Sequence, residues 1–358
     1  MYKSIAIVLA AIVVSLSAVA CGSETTTGSV QAVTFTDATH GWAVGASGTI
    51  LATTDGGATW RKQTSGTTAS LNAVTFTDAT HGWVVGYNGT ILATTDGGAT
   101  WSEQTSGTTA SLSAVTFADA THGWAVGYNG TILATTDGGA TWSEQSSGSS
   151  DYLSAVTFAD ATHGWAVGFG GTILATTDGG ATWSEQRSGS INEGLNAVAF
   201  TDATHGWAVG DNGTILATTD GGATWSKQSS GGSDYLSAVT FTDATHGWVV
   251  GDNGTILATT DGGGTWSAQD SGHTAVGTRA DLYAVAFIDA THGWAVGWDD
   301  YTLEGYLLAT TDGGATWSAQ SSGSSAYLEA VTFSDATHGW AVGTDGTILA
   351  TTNGGGTR

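Results

Sequence analysis

Eight histidines each follow an aspartate by three residues, inside the string Asp-Ala-Thr-His-Gly-Trp at 37–42, 78–83, 119–124, 160–165, 202–207, 243–248, 289–294 and 335–340. A ring of imidazoles, each beside an aspartate, suggests metal binding as its chemistry. A second carboxylate recurs downstream in Thr-Thr-Asp-Gly-Gly-Ala-Thr-Trp or a near variant, at Asp55, Asp96, Asp137, Asp178, Asp220, Asp261 and Asp312. Outside both strings stand Asp281, Asp299, Asp300 and Glu304, close in sequence to His273, Arg279, Trp298 and Tyr301. Two carboxylates about 5–10 Å apart are what glycoside hydrolysis needs. Several acidic oxygens can equally hold calcium, and aromatics among acids suit recognition.

Repetition decides how the first two groups are read. An aspartate opening a turn accepts backbone N–H bonds, glycines supply left-handed positions, and a tryptophan can cover the hairpin. The same chemistry in every copy is the chemistry of turns, so both strings read as structural. Neither implies a metal or cofactor. The two strings hold 15 of the 16 tryptophans and 15 of the 31 acidic residues, so about half the negative charge is a by-product of turn construction.

Lys+Arg is 7 against Asp+Glu 31, a formal net charge of −24. A nucleic-acid partner is excluded, because counterion displacement needs a basic stripe. With 40% hydrophobic residues the chain can bury a core. One cysteine excludes an internal disulfide.

Lys3 precedes an apolar or small run, Ile5 to Ala20, that ends Ala18-Val19-Ala20-Cys21. The run is too short for a span and has the build of a secretory signal over 1–20. The cysteine directly after the cut resembles a bacterial lipoprotein signal, which implies lipidation of Cys21 as the mature N-terminus. Ala18 stands where that signal usually has leucine, and Ala18-x-Ala20 also suits ordinary secretory cleavage. The expected location is the cell membrane through that lipid, or the extracellular or periplasmic space.

Successive repeats are offset by 41 to 46 residues, and each unit has the period of strands. Asn-Gly pairs such as Asn88-Gly89 separate the second and third runs, the preferred two-residue hairpin turn. The reading is all-β: a single β-propeller over 22–358, built from four-stranded antiparallel blades. Eight blades are expected, with seven the runner-up. The eighth unit stops before a fourth strand, and Ser23 to Ser29 are expected to complete it.

The unit, with its GWAVG…GTILATTDGGATW, resembles the repeat of the photosystem II assembly and stability factor family. Its Asp-box, S/T-x-D-x-G-x-T-W, is similar to that of bacterial-neuraminidase repeats, sialidases and sortilin-like propellers. The resemblance implies a propeller, and by analogy a scaffold that binds photosystem subunits during assembly. That family is usually seven-bladed with a basic interaction surface. This chain has eight units and only four arginines, Arg61, Arg187, Arg279 and Arg358. Sialidases, by the same resemblance, clamp a carboxylate with three arginines, and no convergent trio is apparent here.

Specific recognition should lie where units differ. In a propeller the second-to-third turns and the blade-to-blade loops share one face, and nearly all variation falls there. The turns carry Tyr87, Tyr128, Phe169, Asp211, Asp252, Trp298 and Asp345, and the loops add Tyr152, Tyr235 and Tyr327. Two five-residue insertions adjoin in the seventh unit, at Asp270–Asp281 and Trp298–Tyr306. Candidate binding residues are therefore His273, Arg279, Asp281, Trp298, Asp299, Asp300, Tyr301, Glu304, Tyr87, Tyr128 and Phe169, with no catalytic residue assigned. The functional expectation is a monomeric, non-catalytic protein-binding or assembly scaffold. The alternative is a glycan-binding protein or glycoside hydrolase of the sialidase-like class, and a third reading is calcium-dependent adhesion.

Overall fold

Each unit's second and third strands are apolar on both faces, as in Gly41–Gly45 (GWAVG) and Thr49–Thr53 (TILAT), where every residue is buried. Strands apolar on both faces need a neighbour on each side. A computed structural model, describing residues 28–186, 192–272 and 280–354, shows how they obtain it. Eight antiparallel sheets stand side by side around an axis. Seven have four strands in sequential order, and the eighth has three among the described residues. The chain is an eight-bladed β-propeller. The expected signal segment, Cys21 and most of the expected closing segment lie outside the described residues.

First strands are innermost and pack against first strands of the neighbouring blades; fourth strands are short and exposed at the rim. Between blades one and two the core is Val44 and Ile50 of one sheet against Leu71, Val84 and Leu92 of the next. Equivalent clusters fill the other interfaces.

One contact joins every blade to the next. Trp42 stacks on Phe76 with ring centroids 3.5 Å apart, and its indole N–H donates to the Gly97 carbonyl at 2.9 Å. Gly82 makes room, because a Cβ there would sit 2.2 Å from the Phe76 ring. The arrangement recurs from blade to blade around the ring, and the last copy closes it. Trp340 of blade eight stacks on Phe35 of blade one at 3.3 Å and donates to Gly56, 284 residues away in sequence. The Asp-box tryptophan works differently, standing edge-on to the phenylalanine of its own blade, as Trp101 does to Phe76.

The hairpin turns take the expected form. In Tyr87-Asn88-Gly89-Thr90, Asn88 and Gly89 have φ of 55° and 69°, and Thr90 N–H donates to the Tyr87 carbonyl. Every first strand carries a bulge four residues before its phenylalanine, at Asn72 in blade two, Ser154 in blade four and Tyr283 in blade seven.

Ring closure makes the Trp340 contact equivalent to an internal one. Trp165→Ala and Trp340→Ala should each cost about 3–5 kcal/mol, measured as matching shifts in the urea midpoint. A much smaller effect at Trp340 would mean an open array.

Candidate functional site

The two repeated strings meet on one face of the ring, where Gly56 N–H of the Asp-box turn donates to the Thr39 carbonyl at 3.0 Å. In the first string Asp37 Oδ1 accepts from the Thr39 hydroxyl (2.6 Å), Thr39 N–H (2.7 Å) and His40 N–H (2.9 Å). Its other oxygen lies 2.9 Å from His40 Nδ1. In the second string Asp55 accepts from Thr59 N–H and from the hydroxyls of Thr53 and Thr59. The geometry repeats from copy to copy, and each carboxylate is used by its own turn. Among the described residues no group of three or more His, Cys, Asp or Glu is placed to hold a metal ion.

The donors leave an electrostatic mark. The Thr39 hydroxyl, followed by backbone N–H groups, holds the Asp37 carboxyl well below the usual range, and the Thr59 hydroxyl and N–H lower Asp55. Their counterparts are depressed in the same way.

The opposite face is built differently. In seven blades the second-to-third turn begins with a residue whose N–H donates to the loop residue preceding its own first strand, as Tyr128 does to Ser111, and in blade seven Trp298 holds that position inside the lengthened second strand. The turn-leading side chain then lies beside the loop residue entering the next blade, and each interface presents one such slot. In the slot between blades three and four Tyr128 meets Tyr152, ring centroids 4.5 Å apart, and Phe169 adds an edge contact to Tyr152 at 5.1 Å. Between blades seven and eight Trp298 stacks on Tyr327 at 4.1 Å. The large hydrophobic side chains exposed among the described residues are Tyr87, Tyr128, Phe169, Tyr235, Tyr301, Leu303 and Tyr327, all on this face.

The two insertions adjoin and act as extensions of blade seven. Its first three strands, Ala280–Phe287, Gly293–Asp299 and Glu304–Thr310, are longer than their counterparts. Asp281 pairs with Trp298, and Asp299 with Glu304. The Tyr306 hydroxyl donates to the Ser271 carbonyl, tying the hairpin to the preceding loop. His273 and Arg279 lie outside the described residues.

The sequence-derived candidates take distinct places. Tyr87, Tyr128, Phe169 and Tyr301 present ring surface to solvent. Trp298 is only 8% exposed, its indole N–H donating to Asp300 at 2.8 Å, so this pair organises the hairpin. Asp299 is buried and caps its own turn through Tyr301 N–H at 2.8 Å. Asp281 accepts from Asn253 N–H, joining blades six and seven. Glu304 is exposed at the base of the tip.

Sequence reasoning passed over the bulge residue of each first strand, which varies while its strand does not: Asn72 and Asn196 but Tyr283 and Glu329. Asn72 and Asn196 donate to the leucine carbonyl of the next first strand, linking the innermost strands of neighbouring blades. In blades seven and eight this position is Tyr283 and Glu329. Burial pushes the Tyr283 phenol up to about 12, assisted by Asp281 and Glu329, and crowding by neighbouring protein raises Glu329, although its side chain keeps an exposed surface. A column-by-column reading of the repeats would have found these two residues.

The turn carboxylates fix an acid response. Their folded pKa values lie below the unfolded value of about 3.9, so their stabilisation is complete above about pH 4 and lost as pH falls through the folded values. A melting-temperature profile should be flat from about pH 7 to 5 and decline below about pH 4, with a shallower decline in Asp37→Asn. A decline already complete between about pH 7 and 5 would show that the turn carboxylates do not set the response.

Comparison with known proteins agrees with this architecture. No curated protein sequence matches the chain. A structure described as YCF48 bound to D1 peptide is 21% identical, covering 97% of this chain and 100% of that one, with a TM-score of 0.63. YCF48 from Cyanidioschyzon merolae is 25% identical over 79% of this chain and 95% of its own, TM-score 0.61. A GH74 xyloglucanase from Xanthomonas campestris shares the fold alone, at 14% identity over 95% of this chain and 54% of its own, TM-score 0.60. The family model for the Photosynthesis system II assembly factor YCF48 matches residues 22–73, 64–113, 105–153, 190–238, 231–276 and 272–357, and the chain belongs to that family.

Proposed function

We propose that this protein is an exported, lipid-anchored, non-catalytic scaffold that binds protein through the variable face of the propeller. The observation that carries the reading is the segregation of exposed aromatics. They gather on one face, while the opposite face is spent on turn chemistry. Exposed aromatic surface rimmed by polar groups is what interfaces use. A relative with the same fold was solved bound to a D1 peptide, which supports a peptide or protein ligand here.

Hydrolysis is less well supported by the insertion hairpin. Asp299 is buried and occupied by the backbone of its own turn, and Asp300 is occupied by the Trp298 indole. The anchor reading rests on Lys3, the apolar run to Ala20, and Cys21.

Cross-linking in native membranes followed by purification tests the scaffold. The wild type should recover a defined partner that Tyr128→Ser/Phe169→Ser loses without a change in melting temperature. An unchanged partner set would reject this face, and turnover of a glycoside panel abolished by Glu304→Gln would reject the non-catalytic reading. Cys21→Ser should move the protein from the membrane to the soluble fraction and remove label from radioactive palmitate. Persistent membrane association without label would reject the lipid.

A further inference from the structure

We propose that the variable face receives an extended, lysine- or arginine-bearing segment of a partner protein, laid across the mouth of the axial channel between two aromatic slots on opposite sides of the ring. The inference deepens the protein-binding reading and rests on it.

The first support is placement. Tyr128 with Tyr152, and Trp298 with Tyr327, occupy the same structural slot, the residue after the GWAVG glycine of one blade against the loop residue entering the next. One slot lies between blades three and four, the other between blades seven and eight. Four blades in a ring of eight is half a revolution, so the slots face each other across the axis. A ligand touching both must cross the mouth. An extended peptide does so economically, gaining about 3.3 Å per residue.

The second support is the chemistry between the slots. Asp211 and Asp252 lead the turns of blades five and six, and Glu329 and Tyr283 lie on the innermost strands of blades eight and seven. These carboxylates are close enough to the phenols to affect them: Tyr235 is raised by burial and then by Asp211 and Asp252. The cations among the described residues, Arg61, Lys62 and Lys227, all lie on fourth strands at the outer rim. A guanidinium or ammonium group fits this mouth, pairing with carboxylates and lying over aromatic faces. An acidic segment would meet repulsion with no cation beside it among the described residues.

A third observation is independent of charge. Leu303, at the tip of the blade-seven hairpin beside Tyr301, is 61% exposed yet held at φ 56°. A leucine pays strain there that glycine would avoid, and it gains no burial in return. An exposed apolar side chain kept in a strained position on the hairpin that carries Trp298 is suited to seating a partner's side chain.

Fluorescence anisotropy with the full chain provides the test. The probe is a labelled peptide of about twelve residues, ~40 Å when extended, alternating lysine with leucine and tyrosine. Its control carries glutamate for every lysine. The lysine peptide should bind, weakening as salt rises from about 0.05 to 0.5 M, and the glutamate peptide should not. Tyr128→Ser and Tyr327→Ser should each weaken binding about tenfold. Leu303→Gly should weaken it several-fold while the melting temperature stays level or rises.

Equal binding of the two peptides, or indifference to either slot, would overturn the inference. So would displacement of the lysine peptide by a neutral oligosaccharide. If Tyr128→Ser/Phe169→Ser still loses its membrane partner while peptide charge is immaterial, the scaffold stands and the cationic ligand falls. If neither binding event depends on Tyr128, both fall.

Discussion

The whole molecule depends on one joint: an indole from each blade lying flat on a phenylalanine of the next, pinned by its N–H to that blade's Asp-box turn. No blade could bury its two apolar faces alone. The stack supplies burial and the hydrogen bond supplies direction, so each joint sets both the distance and the angle between neighbours. Because the angle is the same at each joint, the array curves uniformly, and after eight units the last indole finds the first phenylalanine. Both repeated strings exist to build this joint. One supplies the tryptophan and the glycine under the phenylalanine, the other the accepting carbonyl and the edge-on tryptophan.

That commitment divides the two faces of the ring. On one, aspartates, threonines and histidines are consumed in satisfying turn backbone, and their carboxylates are acidified by the same bonds. On the other, the bulge and the Asn-Gly turn need only a few backbone positions, and the side chains above them are free to differ. Aromatics occupy two slots, carboxylates occupy the sector between, and one blade grows a taller hairpin. The charge of −24 adds a long-range field to this pattern. Membership of the YCF48 family fixes the scaffold, and this chain's scarcity of arginine gives its recognition surface a character of its own.

Much was legible without coordinates. The strand period, the Asn-Gly turns, the eight units and the assignment of both repeated strings to structure all follow from local pattern, because hairpins and turns are made by residues close in sequence. The variable face was legible too, once two turn types were known to share it. The individual site residues were less so. Trp298 reads as an exposed anchor but serves as a hairpin organiser, because its indole finds Asp300 and Tyr327. Tyr283 and Glu329 hid in a strand that otherwise looks nearly invariant, and only the strand register shows that they stand at its bulge.

What the amino-acid sequence alone determined is therefore the blade: four short strands, their turns, and the number of copies. What only the tertiary structure decided is the ring, including the pairing of blade eight with blade one, the meeting of Tyr128 with Tyr152, and the opposition of two aromatic slots across the channel. The physical reason is range. A turn is settled by the conformational preferences of three or four neighbouring residues, whereas these contacts depend on the angle at every joint between blades, a property of packed side chains that no local pattern encodes.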